Sequence, residues 1–190
     1  MITPEYAREK FGQGLGYEAY LSTGSADQRA AWARFEAGLS LRPEQHHLVN
    51  NFTRQINVLV LSGTWCGDCV QQVPMIAKIA ESNKDSIRLR LLDRDEHIDL
   101  SNQVKICGGN RVPTVMFFSE DFEFVAISGD KSLSRLRAAA RKHLGAACVL
   151  PGAPVDEDER AATLQDWVND FERVHLTLRL SPKLRQRHGD

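Results

Sequence analysis

Long hydrophobic runs are missing from this chain of 190 residues. No stretch reaches the roughly 18 apolar residues that a membrane-crossing helix needs, so no span is expected. The opening residues, MITPEYAREKFGQG, have no apolar core of the kind a secretory signal requires, and they carry acids early. Cysteine is scarce: four residues are too few for a scaffold stapled by disulfides. An excess of charge is missing too. Lys and Arg number 24 against 25 Asp and Glu, a formal net charge of -1. Such a chain has no global field to steer it to a polyanion, so neither a nucleic-acid partner nor a membrane surface is expected. The compartment that fits is the cytoplasm, where thiols stay reduced and a close cysteine pair is catalytic or metal-binding rather than structural.

What the chain does contain is concentrated in Ile56 to Pro74, INVLVLSGTWCGDCVQQVP. A run of Ile, Val and Leu over 56–62 reads as a strand buried on both faces. Small residues and Trp65 follow, then Cys66-Gly67-Asp68-Cys69. A helix is expected from Asp68 to about Asn83, with Pro74 inside it, removing one backbone donor. This spacing places Cys66 at the helix start, where unpaired N–H groups and the helix dipole favour a thiolate. Cys69 returns over the same face of the first turn, within reach of a mixed disulfide on Cys66. Cys66 is therefore the candidate nucleophile and Cys69 the candidate resolver. Gly67 and Asp68, between them, are the candidate tuning residues.

The rest of the chain frames this stretch. Residues 1–54 read as helical, with Thr3-Pro4 opening one helix, Ser25 capping a second through about Leu39, and Pro43 opening a third. His46 and His47 diverge by about 100° on a helix and are expected as solvated surface groups. A second strand is expected at 87–93 and a short helix ending near Ile106. Strands at 115–119 and 122–128 are expected to form a hairpin about Glu120-Asp121. Ser132 or Asp130 should cap a helix through His143, ended by Gly145. The order predicts an α/β fold with a central mixed sheet and helices on both faces. Residues 146–154 read as a linker. The stripe Leu164, Trp167, Val168, Phe171 and Val174 reads as the core-facing or docking face of a helix, and residues from Lys183 onward as a frayed basic tail. The chain is thus divided as a helical extension over 1–54, a central domain over 55–145, and a linker, helix and tail over 146–190.

Three motifs in order carry a resemblance: WCGDC at 65–69, Pro74 within the following helix, and Val112-Pro113-Thr114 opening a strand. Together they resemble the thioredoxin-like superfamily over about residues 50–144, and the helical extension resembles that of a bacterial thioredoxin-related subgroup. The resemblance implies a thioredoxin-like fold with N- and C-terminal helical extensions. It also implies a cis-proline loop at Val112-Pro113 that, with Trp65, forms the substrate-facing surface. The implied activity is thiol-disulfide exchange in cell redox homeostasis, on a disulfide-containing protein or low-molecular-weight disulfide. A reductase or thiol reductant would restore the dithiol, and no cofactor is expected. The departures are as informative. Asp68 stands where the family has a second proline, and its charge should oppose thiolate formation. Val60 stands at the position of a buried aspartate that accepts the resolving cysteine's proton, and Leu89 at that of its lysine partner. The 93–113 loop is longer than in thioredoxin.

Cys107, six positions before Pro113, is expected to be a buried structural cysteine, because free Cys is commonly buried. Cys148 falls in the expected linker. Two other functions compete with the enzyme: a redox-sensing binding module that holds a partner through the extra helices, and a metal site built from Cys66, Cys69, Cys107 and a histidine. The second lacks a further ligand pair at finger-like spacing.

Overall fold

The computed structural model describes residues 2–144 and 158–189. The expected linker and Cys148 therefore lie outside the described residues. Each end of the chain begins its helices with ordinary capping chemistry. Thr3 accepts from the Tyr6 N–H and Pro4 takes the first position of α1 (Pro4–Gln13). α2 (Tyr17–Ser22) is short. Ser25 and Gln28 form a reciprocal capping box on α3 (Ala26–Glu36), which ends three residues before Leu39 because Gly38 turns the chain at φ 74°. α4 spans Pro43–Asn50.

The apolar run becomes β1 (Ile56–Ser62), buried at every position. It feeds α5 (Gly67–Ser82), which continues through Pro74. β2 (Ile87–Asp93) pairs in parallel with β1, from Ile56 opposite Ile87 to Ser62 opposite Asp93. A short α6 (Ile98–Gln103) leads to the 106–109 turn. β3 (Thr114–Phe118) runs antiparallel to β1, and β4 (Phe124–Gly129) antiparallel to β3. The sheet order is β2-β1-β3-β4, so it is mixed, with β1 and β3 at its centre. The hairpin turn is longer than its Glu120-Asp121 dipeptide suggested. It occupies residues 119–123, where the Ser119 hydroxyl accepts the N–H groups of Asp121 and Glu123 and Phe122 takes φ 65°. One backbone pairing from outside the strands completes the sheet: Leu15 exchanges two 2.9 Å bonds with Leu91 on the outer side of β2.

α7 (Leu133–Leu144) follows, then α8 (Glu159–Leu180), whose first turn is capped by Asp158. The stripe Leu164, Trp167, Val168, Phe171 and Val174 is buried as its spacing required. Phe171 meets Phe117 of β3 edge-on at 5.2 Å. The expected frayed tail is a helix instead, α9 (Pro182–His188), with Leu184 buried. Its periodicity was hidden by basic residues, and these have partners on the hairpin turn: Arg187 with Asp121, His188 with Glu120 and Asp121, and Lys183 with Glu123. One hydrophobic cluster runs from Ala7 in α1 to Leu184 in α9, so the outer helices share the core of the sheet. Among the described residues no helix is long and apolar enough to cross a membrane.

Candidate active site

β1 ends at Ser62, and the chain turns through residues 63–65 to present Cys66 as the N-cap of α5. This turn is packed from both sides. Above it, the Trp65 ring lies so close to Gly63 that an added Cβ there would sit 2.6 Å from the indole, so a larger residue would displace the ring. Below it, the fully buried Trp32 of α3 donates its indole N–H to the Thr64 carbonyl at 2.9 Å, and the Thr64 hydroxyl bonds Gln28. The turn that delivers the cysteines therefore rests on the N-terminal helices.

The two cysteines, both free thiols, sit in different surroundings. Cys66 is half-buried; Cys69, one turn along α5, is fully buried. As a thiol Cys66 donates to the Val112 carbonyl at 3.6 Å. As a thiolate it is stabilised first by a hydrogen bond from the Cys69 thiol, then by the N–H groups of Cys69 and Asp68, and these outweigh burial and the Asp68 charge. Its pKa is lowered to about 6. Cys69 moves the opposite way. Burial pushes its pKa well up, and the neighbouring Cys66 pushes it further, while the Ser62 hydroxyl and the Gly63 N–H oppose the rise. One sulfur is thus primed to ionise near neutral pH and the other to hold its proton.

Asp68 acts on Cys66 in two directions: its charge raises the pKa and its backbone N–H lowers it. The carboxylate is also engaged elsewhere, by Lys131 and Arg135 at 2.8 Å each. Gln72, one turn further along α5, holds the segment that carries Lys131, accepting the Ser132 N–H and donating to the Asp130 carbonyl. Gly67 has open space where a Cβ would stand, so packing does not require glycine there.

The other expected site residues converge on the same place. The Val112–Pro113 bond is cis, and both residues are buried, with the Val112 carbonyl facing Cys66. Trp65 is 48% exposed and carries the Arg94 guanidinium over its ring at 4.6 Å. Cys107 departs from expectation: it is exposed, at φ 48° on the 106–109 turn, because the Ile106–Gly109 pairing turns the apex toward solvent. Among the described residues no three His, Cys, Asp or Glu side chains gather as a metal ligand set. Sequence reasoning missed Lys131, Arg135 and Arg94, whose roles depend on contacts across long stretches of chain.

A mixed sheet whose central strand runs into a helix capped by the first cysteine of a CxxC pair, faced by a cis-proline loop, defines the thioredoxin-like class. The family model described as thioredoxin matches residues 14–131, well over half of the chain, and the chain belongs to that family. Among curated relatives, thioredoxin Y1 of Arabidopsis thaliana chloroplasts is 32% identical over 57 residues, covering 30% of this chain and 31% of its own length. A probable protein disulfide-isomerase A6 of Medicago sativa is 25% identical over 194 residues, covering 87% of this chain and 50% of its own. The chain thus spans half or less of these two relatives. Thioredoxin-2 of Saccharomyces cerevisiae is 33% identical over 66 residues, covering 35% of this chain and 60% of that protein. A crystal structure of a protein of unknown function from Pseudomonas aeruginosa is similar in fold, with a TM-score of 0.68 at 19% identity. That likeness covers 88% of this chain and 95% of the other, so it takes in more than the family match does.

Proposed function

We propose that this protein is a thiol-disulfide oxidoreductase acting chiefly as a disulfide reductant, on a protein or low-molecular-weight disulfide. The observation that carries the reading is the asymmetry of the pair: a half-buried Cys66 with a pKa of about 6 beside a buried Cys69 whose pKa is raised. In the cycle, the Cys66 thiolate attacks a substrate disulfide and expels one thiolate. Cys69 then attacks the Cys66 sulfur of the mixed disulfide. The Cys66–Cys69 bond forms as the bond to substrate breaks, and the second thiolate leaves and takes up a proton. Two electrons pass from the dithiol to the substrate. A reductase or thiol reductant returns them.

Substrate contact in this reading falls to the exposed Trp65 face and to the backbone at Val112-Pro113. The names of the relatives, thioredoxins and a probable protein disulfide-isomerase, support thiol chemistry of this kind. A compartment that keeps thiols reduced, such as the cytoplasm, is part of the reading. The division into a helical extension over 1–54, a central unit over 55–145 and a C-terminal part over 146–190 belongs to the same proposal. The test is turnover of a small aromatic disulfide by the reduced chain at pH 7–8. Turnover that is lost in Cys66→Ser is the expected result; no turnover of any disulfide overturns the reading.

A further inference from the structure

A guanidinium stands beside each part of the substrate-facing surface, and the two are built alike. Arg94 lies over the exposed Trp65 ring, its Cζ 4.6 Å from the ring centroid. Its Nη1 donates to the Asn110 carbonyl at 3.3 Å, and its Nε and Nη2 donate to Asp95 at 2.9 and 2.8 Å. Arg111 directly precedes Val112, whose carbonyl faces Cys66. Its Nε donates to the Ile106 carbonyl at 3.2 Å and its Nη1 to Asp130 at 3.0 Å. Among the described residues, each guanidinium is thus fixed by a backbone carbonyl, which orients it without removing its charge, and balanced by a carboxylate. Both carboxylates are exchangeable. Asp95 is 59% exposed, and an exposed ion pair contributes little. Asp130 keeps Lys131, at 3.4 Å, when Arg111 lets go. Asp68, between the cysteines, is already held by Lys131 and Arg135 at 2.8 Å each, so its charge is matched.

We propose that Arg94 and Arg111 are specificity-determining residues of this site and select disulfides that carry a carboxylate close to the sulfur bridge. The proposal rests on the dithiol cycle described above and names the class of disulfide that enters it. The two arginines meet along one stretch of chain. Arg94 holds the Asn110 carbonyl, Arg111 comes next, and Val112 then faces Cys66. A substrate seated on Trp65 and Val112-Pro113 therefore meets a guanidinium on the ring and another beside the loop. A planar guanidinium fork matches the two oxygens of a carboxylate, and it can donate to a substrate's as it does to that of Asp95 or Asp130. The Trp65 face under Arg94 keeps that fork in place while its carboxylate partner changes. A disulfide that carries ammonium groups meets two like charges there and is disfavoured. Neither arginine takes part in the exchange of sulfurs; the effect is on binding.

The test uses the full reduced chain and two aromatic disulfides whose released thiols absorb light. 5,5′-Dithiobis(2-nitrobenzoate) carries a carboxylate on each ring, and 2,2′-dithiodipyridine carries none. Stopped-flow absorbance at pH 7 gives the second-order rate of each, and the readout is their ratio, carboxylate over neutral. Both disulfides meet the same Cys66 thiolate, so a change in its pKa cancels from the ratio. Arg94→Gln and Arg111→Gln are each expected to lower the ratio about tenfold, the scale of one hydrogen bond to a charged group. Added salt should lower it in the parent chain. Asp130→Asn, which frees Arg111 from its carboxylate, is expected to raise it, a gain that a damaged fold would not produce. A ratio unchanged in either arginine variant, or lowered by Asp130→Asn, overturns the proposal. Disulfide-linked peptides with Glu or Gln beside the cysteine repeat the comparison. Faster reaction of the Glu form assigns the carboxylate to a protein substrate, and equal rates assign it to a low-molecular-weight one. No reaction of the parent chain with either aromatic disulfide instead overturns the dithiol cycle itself.

Discussion

Cys66 and Asp68 show how much one side chain's partners matter. The lowered pKa of Cys66 implies alkylation by iodoacetamide that rises with pH through a midpoint of about 6. A midpoint near the ordinary thiol value of roughly 8.5 would contradict the arrangement. Asp68→Asn should move that midpoint down, because a charge that opposes the thiolate is removed while Lys131 and Arg135 remain. Lys131→Met should move it up, because the Asp68 charge is then less compensated. Opposite shifts in the two variants are the expected signature, and shifts of the same sign would count against a charge effect. At this scale the sequence was legible where chemistry is local. The cysteine spacing, the cap position and the opposing sign of the Asp68 charge could all be read from neighbours along the chain. The cations that hold Asp68 lie 63 and 67 positions away in sequence. No local pattern announces such a contact.

Among the elements, α3 stands out because it holds the turn before the cysteines by two hydrogen bonds, from Trp32 to the Thr64 carbonyl and from the Thr64 hydroxyl to Gln28. Trp32→Phe keeps most of the buried ring but removes the donor to the Thr64 carbonyl. The expected loss is about 1–3 kcal/mol of stability, the cost of a buried acceptor left without its partner. Urea denaturation monitored by far-ultraviolet circular dichroism measures it, and an unchanged midpoint would mean that the bond contributes nothing. The bounds of β1 and β2 were readable to the residue, β1 from its run of Ile, Val and Leu and β2 from the partial alternation of IRLRLLD. The helix starts were readable from Thr3, Ser25 and Pro43. The hairpin turn was not, since its shape depends on Ser119 serving two backbone donors. Nor was α9, where Arg and Lys mask a single buried leucine and find their acids on a turn some 60 positions earlier.

For the molecule as a whole, the burial of α8 against β3 ties the C-terminal helices to the sheet. Phe171→Ala should cost about 3–5 kcal/mol, a large part of the 5–15 kcal/mol that holds an ordinary domain together. Loss of tryptophan fluorescence and exposure of Cys69 to alkylation should then occur in one shared denaturation step. Two separated steps would show that α8 and the sheet unfold independently. Composition and motif were enough to anticipate a mixed sheet with helices around it. They could not show that the helices at both ends share its core, because a stripe such as Trp167 and Phe171 declares only that something covers it. The pairing of Leu15 with Leu91 has its own consequence for how copies of the protein meet. A sheet can grow only from an edge with free backbone groups, and this contact engages part of the β2 edge. Among the described residues β4 has a strand on one side only. Its Phe124 and Ile127 are 45% and 40% exposed. Any strand added from a second chain, in a crowded or concentrated solution, is thereby directed to β4, the edge at the far side of the sheet from β2.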